Sequence, residues 1–210
     1  LSAADLRGLD LHDARLAHAN LNKARLNATN LSGSMLEHAD LRDTDLTGAD
    51  MSRAAMRHAK LDGAMFDRVA LIEADLRQLD FRKVAHLRAS DLSRARLHST
   101  HLDGLDLRGN RFDGADMQDI GLSGSDLTDV SLAKASLRKA DLRNTQFSGA
   151  ILSGAKLTGV RMEGARLRGA DLENAIVAGN LIGVDFSAAR LARADLSGAN
   201  LKEALFRDTD

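Results

Sequence analysis

The 210-residue chain contains no cysteine, no proline, no tryptophan and no tyrosine. Without cysteine there is no disulfide, and the composition fits a reducing compartment, so a cytoplasmic location is expected. Without proline there is no Pro-rich linker. No Gly/Ser-rich break or low-complexity tail replaces one, so residues 1–210 read as a single domain. Missing Trp and Tyr leave no obvious platforms on which nucleic-acid bases stack. No charge sign dominates: 29 Lys and Arg face 30 Asp and Glu, for a net charge of −1. That argues against the basic stripe of a nucleic-acid binder. No run of about 18 apolar residues predicts a membrane segment, and the start does not resemble a signal peptide. The first residue is Leu1 rather than Met, so an upstream segment with its own targeting signal is expected to be absent from this chain.

What the chain has is a period. Leucine, or an apolar stand-in, returns every fifth residue. One run goes from Leu1, Leu6 and Leu11 through Met51, Met56 and Phe66 to Phe81. A second goes from Leu87 through Phe112, Phe147 and Val177 to Ile182. A third goes from Phe186 through Leu191, Leu196 and Leu201 to Phe206. On an α-helix, five residues turn about 500°, which would scatter these side chains around the axis. On a flat strand, the odd spacing would send alternate leucines to opposite faces. A backbone that turns a corner every five residues keeps them all inside.

Two residues before each leucine sits a small residue, alanine at 14, 19, 24, 39 and 49 and again at 135, 140, 150, 155 and 165. One large and one small inward side chain per segment describes a narrow tube filled by its own core. Leu9, Leu79, Leu105 and Ile120 are oversized for the small slot, and Asn110 and Asn180 are polar in it. The other three positions read as outward. The residue before the leucine is often Asp or Asn, as at Asp5, Asp10, Asn20, Asn30 and Asp40. Two residues after the leucine, glycine recurs at Gly149, Gly154, Gly159, Gly164 and Gly169, which suits a turn needing positive φ. Asp, His, Lys and Arg fill the same slot elsewhere, so the turns do not all demand glycine.

The motif Ala-(Asp/Asn)-Leu-X-X, as in Ala49-Asp50-Met51-Ser52-Arg53 and Ala199-Asn200-Leu201-Lys202-Glu203, resembles the pentapeptide-repeat family along the whole chain. The resemblance implies an all-β fold, a right-handed quadrilateral β-helix. This pentapeptide-repeat solenoid would have about ten coils at a spacing of about 4.8 Å and a length of roughly 50 Å. Register breaks fall near 82–86 and 181–185. Phe81 to Leu87 is one residue too long, and Ile182 to Phe186 one too short. Leu181 serves equally well as the inward residue, which moves the short step one repeat earlier. A break reads either as a bulge that bends the rod or as a recognition loop. Quinolone-resistance members of the family carry longer loops than one inserted residue supplies.

Residues one coil apart should stack. One such column reads Arg42, Asp62, Arg82, Asp103, and another Asp5, Arg25, Asp45. Alternating signs support neighbouring coils by about 0.2–1 kcal/mol per pair and cancel any long-range field. His18, His38 and His58 form a further column. Three imidazoles at coil spacing suggest a transition-metal site. No carboxylate is evident behind them to orient the rings, and Gln78 ends the series, so no metal and no cofactor are expected. Ser, His and Asp recur at every corner, so no triad stands out. Glycines at steps of five do not build a phosphate loop. No catalytic residue is assigned.

Apolar residues in outward slots are the contact candidates: Met35, Met65 and Ile72 early, then Ile151, Ile176, Leu181 and Leu205, with Phe206 beside the last. No capping helix precedes the last residue, Asp210. The C-terminal end is therefore expected to meet a second copy, a protein partner or a continuing segment. The function expected is a non-enzymatic rigid β-helical scaffold for protein–protein interaction, a module of a larger bacterial protein. The alternative is a DNA-mimicking protein that binds DNA gyrase or another topoisomerase and protects it from quinolones or toxins. Family members of that kind imply a continuous acidic face, which balanced charge does not predict. An enzyme ranks third.

Overall fold

The computed structural model describes all of residues 1–210. The backbone closes a turn at nearly every leucine. The Ala4 N–H donates to the Leu1 carbonyl at 3.1 Å, Ala24 to Leu21 at 2.9 Å and Ala135 to Leu132 at 3.0 Å. Residues twenty apart then pair as parallel β-bridges, from Asp5 with Arg25 to Asp185 with Leu205. Each coil of this β-helix therefore carries four five-residue walls, each built around one inward leucine with the two residues before and after it; those around Leu1, Leu6, Leu11 and Leu16 are called first to fourth below. Coil-to-coil bonds run from nearly every inward leucine N–H before the last coil to a carbonyl of the next coil, as from Leu6 to Arg25 at 2.9 Å and Leu11 to Asn30 at 2.7 Å.

The corners explain the outward pattern. The second residue after the leucine has positive φ almost everywhere, in non-glycine residues as well: Asp13 (53°), His38 (60°), Lys134 (60°). Glycine is not demanded, yet the conformation is the one it favours, as a type II turn requires. A side chain there costs roughly 1–2 kcal/mol. The same residue's N–H gains a bond to the next coil, as from Lys134 to the Ser153 carbonyl at 2.9 Å, which offsets that cost. The Asp or Asn before the leucine caps the corner. Its Oδ1 accepts the N–H two residues on, at 2.9 Å for Asp50 and Ser52, Asp91 and Ser93, and Asp195 and Ser197. These Asx turns satisfy a donor that has no main-chain partner.

Inside lies one continuous apolar cluster from Leu21 to Ala189. Phe66, Phe81, Phe112, Phe147 and Phe186 are its largest fully buried members. Where Thr or Ser takes the small inward slot, its hydroxyl mostly donates to a carbonyl of the preceding coil: Thr29 to Leu6 at 2.8 Å, Ser125 to Leu102 at 2.7 Å, Thr145 to Leu122 at 2.8 Å. Thr44 turns to the Leu41 carbonyl of its own corner, and the buried Ser34 hydroxyl has no partner. Most of these polar atoms are thus paired inside a dry tube.

Pairings lengthen into strands only at the register breaks. β1 (Met65–Asp67) pairs in parallel with β2 (His86–Arg88), and β3 (Lys156–Arg161) with β4 (Ile176–Asn180). Across the first break, partners lie 21 residues apart, as Ala70 and Asp91 do. Val84 and Ala85 share the place one residue fills elsewhere. Val84 closes the turn onto Phe81 at 3.1 Å, while the Ala85 N–H reaches back to the Ala64 carbonyl at 2.9 Å. This corner's Lys83 lacks the usual positive φ.

The inserted residue leaves the next corner incomplete: the Ser90 N–H does not reach the Leu87 carbonyl. Asn110, buried one coil on, takes both groups. Its Oδ1 accepts from the Ser90 N–H at 2.9 Å, and its Nδ2 donates to the carbonyls of Leu87 at 2.9 Å and Leu107 at 2.8 Å. The residue that looks like a polar misfit is a splint. Asn110→Ala puts the slot's usual residue there, yet it should cost about 2–4 kcal/mol by orphaning two buried backbone groups. Urea denaturation measures this, and a loss under about 1 kcal/mol would count against the splint.

The second break departs from the boundaries read from sequence. The short step runs from Val177 to Leu181, not within 181–185. Leu181 is fully buried, and Ile182 sits half-buried on the turn. Asn180, expected in the inward slot, is outward and donates to Glu163 Oε1 at 2.6 Å. The β3–β4 register slips between Thr158 and Val160, so that Val160 faces Gly179.

Candidate interaction surface

The contact candidates do not form one patch. Ile151, 41% exposed, lies on the third wall between Ser131 and Asp171, while Ile176, 40% exposed, lies on the fourth between Lys156 and Asp195. Leu181 is withdrawn as a contact residue, because the register shift turns it into the core. Met35 is exposed, while Met65 and Ile72 are half-buried. At the C-terminal end, Leu205 is exposed on the second wall. Beside it the Phe206 ring stacks on Phe186, with centroids 5.1 Å apart and planes 11° from parallel. Leu191, Leu196 and Leu201 pack partly buried against the core.

Charge follows the expected columns only in part: Arg25 reaches Asp5 one coil back at 3.5 Å, but the other column is arranged differently. Arg42 and Arg82 do not bridge to Asp62 or Asp103 in the neighbouring coils. Each grips the aspartate two residues before it, with bonds of 2.8 and 2.6 Å from Arg42 to Asp40 and of 2.9 and 2.7 Å from Arg82 to Asp80. The Asx turn is the reason. One carboxylate oxygen is already fixed by a backbone N–H, which presents both oxygens to a guanidinium two residues on. Arg7, Arg77, Arg108 and Arg143 repeat the clamp. Some coil-to-coil pairs do form: Asp141 also holds Arg161 at 2.7 Å, and Asp75 gathers Arg57, Arg77 and Arg96.

Hydrogen bonds from Arg82 and Arg108 hold Asp80 and Asp106 at about 2, below the ordinary carboxylate range. A depressed folded-state value contributes stability that is present above the unfolded value of about 4 and is lost as pH falls toward 2. Thermal melts should therefore show Tm dropping between about pH 4 and pH 2. Asp106→Asn should flatten part of that slope, and an unchanged slope would show that the clamp contributes nothing. Both carboxylates are over 40% exposed, so screening keeps each contribution small.

The histidine column exists as stacked rings. His18 and His38 are 4.8 Å apart with planes 1° from parallel, and His38 and His58 are 4.7 Å apart at 17°. Stacked rings aim their nitrogens side by side rather than at a common point, and no group of three His, Asp or Glu converges as a metal site. The polar hollow of about 470 Å³ between the fourth and first walls holds Arg82, His101, Asp103, Asp119, Lys139, Asp141 and Arg161. Arg82 and Arg161 are committed to Asp80 and Asp141. No helix is long and apolar enough to cross a membrane.

A core-filled parallel solenoid with a turn every five residues defines a β-helical repeat protein. More particularly, the chain belongs to the pentapeptide-repeat family: the model for pentapeptide repeats matches in eight copies, at residues 1–33, 10–48, 24–63, 49–84, 90–129, 125–164, 135–174 and 165–210. No curated protein matches it in sequence. Among solved structures it is similar to full-length QnrB1, a plasmid-mediated fluoroquinolone resistance protein. Identity is 14%, covering 99% of this chain and 91% of that one, with a TM-score of 0.44. HetL of Nostoc sp. strain PCC 7120, a pentapeptide repeat protein involved in heterocyst differentiation regulation, is 26% identical over 99% of this chain and 87% of its own, with a TM-score of 0.25. A pentapeptide repeat protein of the Arabidopsis thaliana thylakoid lumen is 28% identical over 55% of this chain and 66% of its own, with a TM-score of 0.27.

Proposed function

We propose that this chain is a non-enzymatic rigid scaffold whose walls carry protein–protein contacts, its coils wound as a right-handed quadrilateral β-helix. Residues 1–210 act as one domain and as a module of a longer protein. The supporting observation is the commitment of the side chains. Inward residues fill the core, Asp and Asn cap the corners and arginines clamp the aspartates. What remains to offer a partner is a stiff surface. A photo-reactive residue placed in turn at Ile151, Ile176 and Arg88, on three different walls, should give a discrete protein adduct in the native cell from at least one. No adduct from any would end the scaffold reading.

The clamps also leave no continuous acidic wall, which disfavours topoisomerase mimicry. In a DNA gyrase supercoiling assay the protein should not inhibit, and stoichiometric inhibition would replace the scaffold reading with the alternative. A second contact is proposed at Leu205 and Phe206, where a second copy would cover both side chains about a two-fold axis. Leu205→Glu with Phe206→Glu should turn a dimer into a monomer in light scattering. An unsubstituted chain that stays monomeric at high concentration would rule this out.

A further inference from the structure

The second wall is open at one place. Met65 pairs with His86, and Asp106 with Asp126, but the bridge between His86 and Asp106 is missing. The Leu87 N–H does not reach the Asp106 carbonyl, nor the Asp106 N–H the Ala85 carbonyl, although the equivalent bonds form on either side. A pocket of about 90 Å³ occupies the gap, lined by Val84, Ala85, His86, Leu87, Arg88, Leu105 and Asp106. Through Arg88 and Asp106 it continues into an open hollow of about 580 Å³.

Two sequence features make the opening. The extra residue at Val84–Ala85 displaces the wall, and Leu105, too large for the small slot, stays half-buried at its edge. The family model likewise leaves residues 85–89 unmatched between its copies at 49–84 and 90–129. The charge here leans positive, although Asp67 stands opposite Arg88 in the β1–β2 register. Asp106 is clamped by Arg108 through bonds of 2.8 Å. Arg88 and Lys83 are exposed and take part in none of the ion pairs, unlike their neighbours Arg82 and Arg108.

We propose that this slit docks an extended acidic segment of a partner protein. The segment's backbone supplies the missing rungs, as in strand addition to a sheet edge. One aliphatic side chain seats against Val84 and Leu105, and flanking carboxylates meet Arg88 and Lys83. The proposal rests on the reading of the rod as a protein-binding scaffold and names one of its contact sites.

The test is fluorescence anisotropy with a short fluorescein-labelled peptide of alternating glutamate and leucine. Saturable binding to the full chain is expected, weakened about tenfold or more by Arg88→Glu. Deleting Ala85 restores twenty-residue spacing. It should abolish binding and raise Tm as the rungs close. Peptides of lysine with leucine, or of glutamate with serine, should bind at least about tenfold more weakly. Absence of saturable binding, binding undiminished in Arg88→Glu, or equal binding of the lysine peptide would each overturn the slit. Adducts from the photo-reactive residue at Ile151 or Ile176 would then leave the scaffold reading intact.

Discussion

Leu132→Asp should unfold the rod or destabilise it by about 5 kcal/mol or more, against a total stability of about 5–15 kcal/mol for a typical domain. Leu132 is fully buried in the third wall's inward column, one coil from Phe112 and one from Leu152, which are equally buried. Its backbone is already used: the N–H donates to the Ile151 carbonyl at 2.7 Å. A carboxylate there would have apolar neighbours and no donor, so it must either protonate or break the coil. Because each coil is held only by its neighbours, the damage sits in mid-rod and spreads both ways. Ser153→Asp is the control. Ser153 is outward on the same wall, and the change should cost within about 1 kcal/mol, most of it from the like charge of Glu173 one coil on. Equal losses in thermal melts of the two variants would overturn the division into inward and outward slots.

Leucine at every fifth place, alanine two before it and aspartate one before it each carry a local meaning, so the wall, core and corner were legible in the sequence. The coupling between coils was not. Asn110 is visibly polar in a small slot, but its partners Ser90 and Leu87 come from another coil, displaced by an insertion whose accommodation the spacing does not specify. An inserted residue reads equally well as a closed bulge, and only the missing rungs at Leu87 and Asp106 distinguish an open wall. The short step was ambiguous because Leu181 and Ile182 are both apolar. The ladder settles it: Asn180 pairs outward with Asn200, which leaves Leu181 to face in. One contact residue was misplaced for that reason alone. The arginine clamps were missed because the charges were read down columns. The signal was nearer, in the Asp-X-Arg spacing around a single leucine.

Gly179→Ala should cost about 3 kcal/mol or more, although alanine is the commonest neighbour of this motif. The missing residue makes Gly179 serve two slots, the corner after Val177 and the inward position before Leu181. Its φ of 142° belongs to neither. A Cβ there would lie 2.3 Å from the Val160 carbonyl oxygen and 2.7 Å from the Val160 nitrogen, both main-chain atoms in the facing strand β3. Neither can swing aside without breaking the ladder that the Gly179 carbonyl continues by accepting the Asn200 N–H at 2.9 Å. Gly169→Ala provides the contrast. Gly169 has φ of 67° with nothing within 4 Å of its added Cβ, so alanine should cost only about 1 kcal/mol. A rescue separates crowding from backbone strain elsewhere. Inserting a glycine between Ala178 and Gly179 restores twenty-residue spacing and returns Gly179 to an ordinary inward slot. Gly179→Ala should then be neutral or stabilising, because the slot prefers alanine and the unfolded chain loses entropy. Urea midpoints that fall equally for Gly169→Ala and Gly179→Ala, or a Gly179→Ala loss that persists after the insertion, would show that the short step is not what binds this glycine in place.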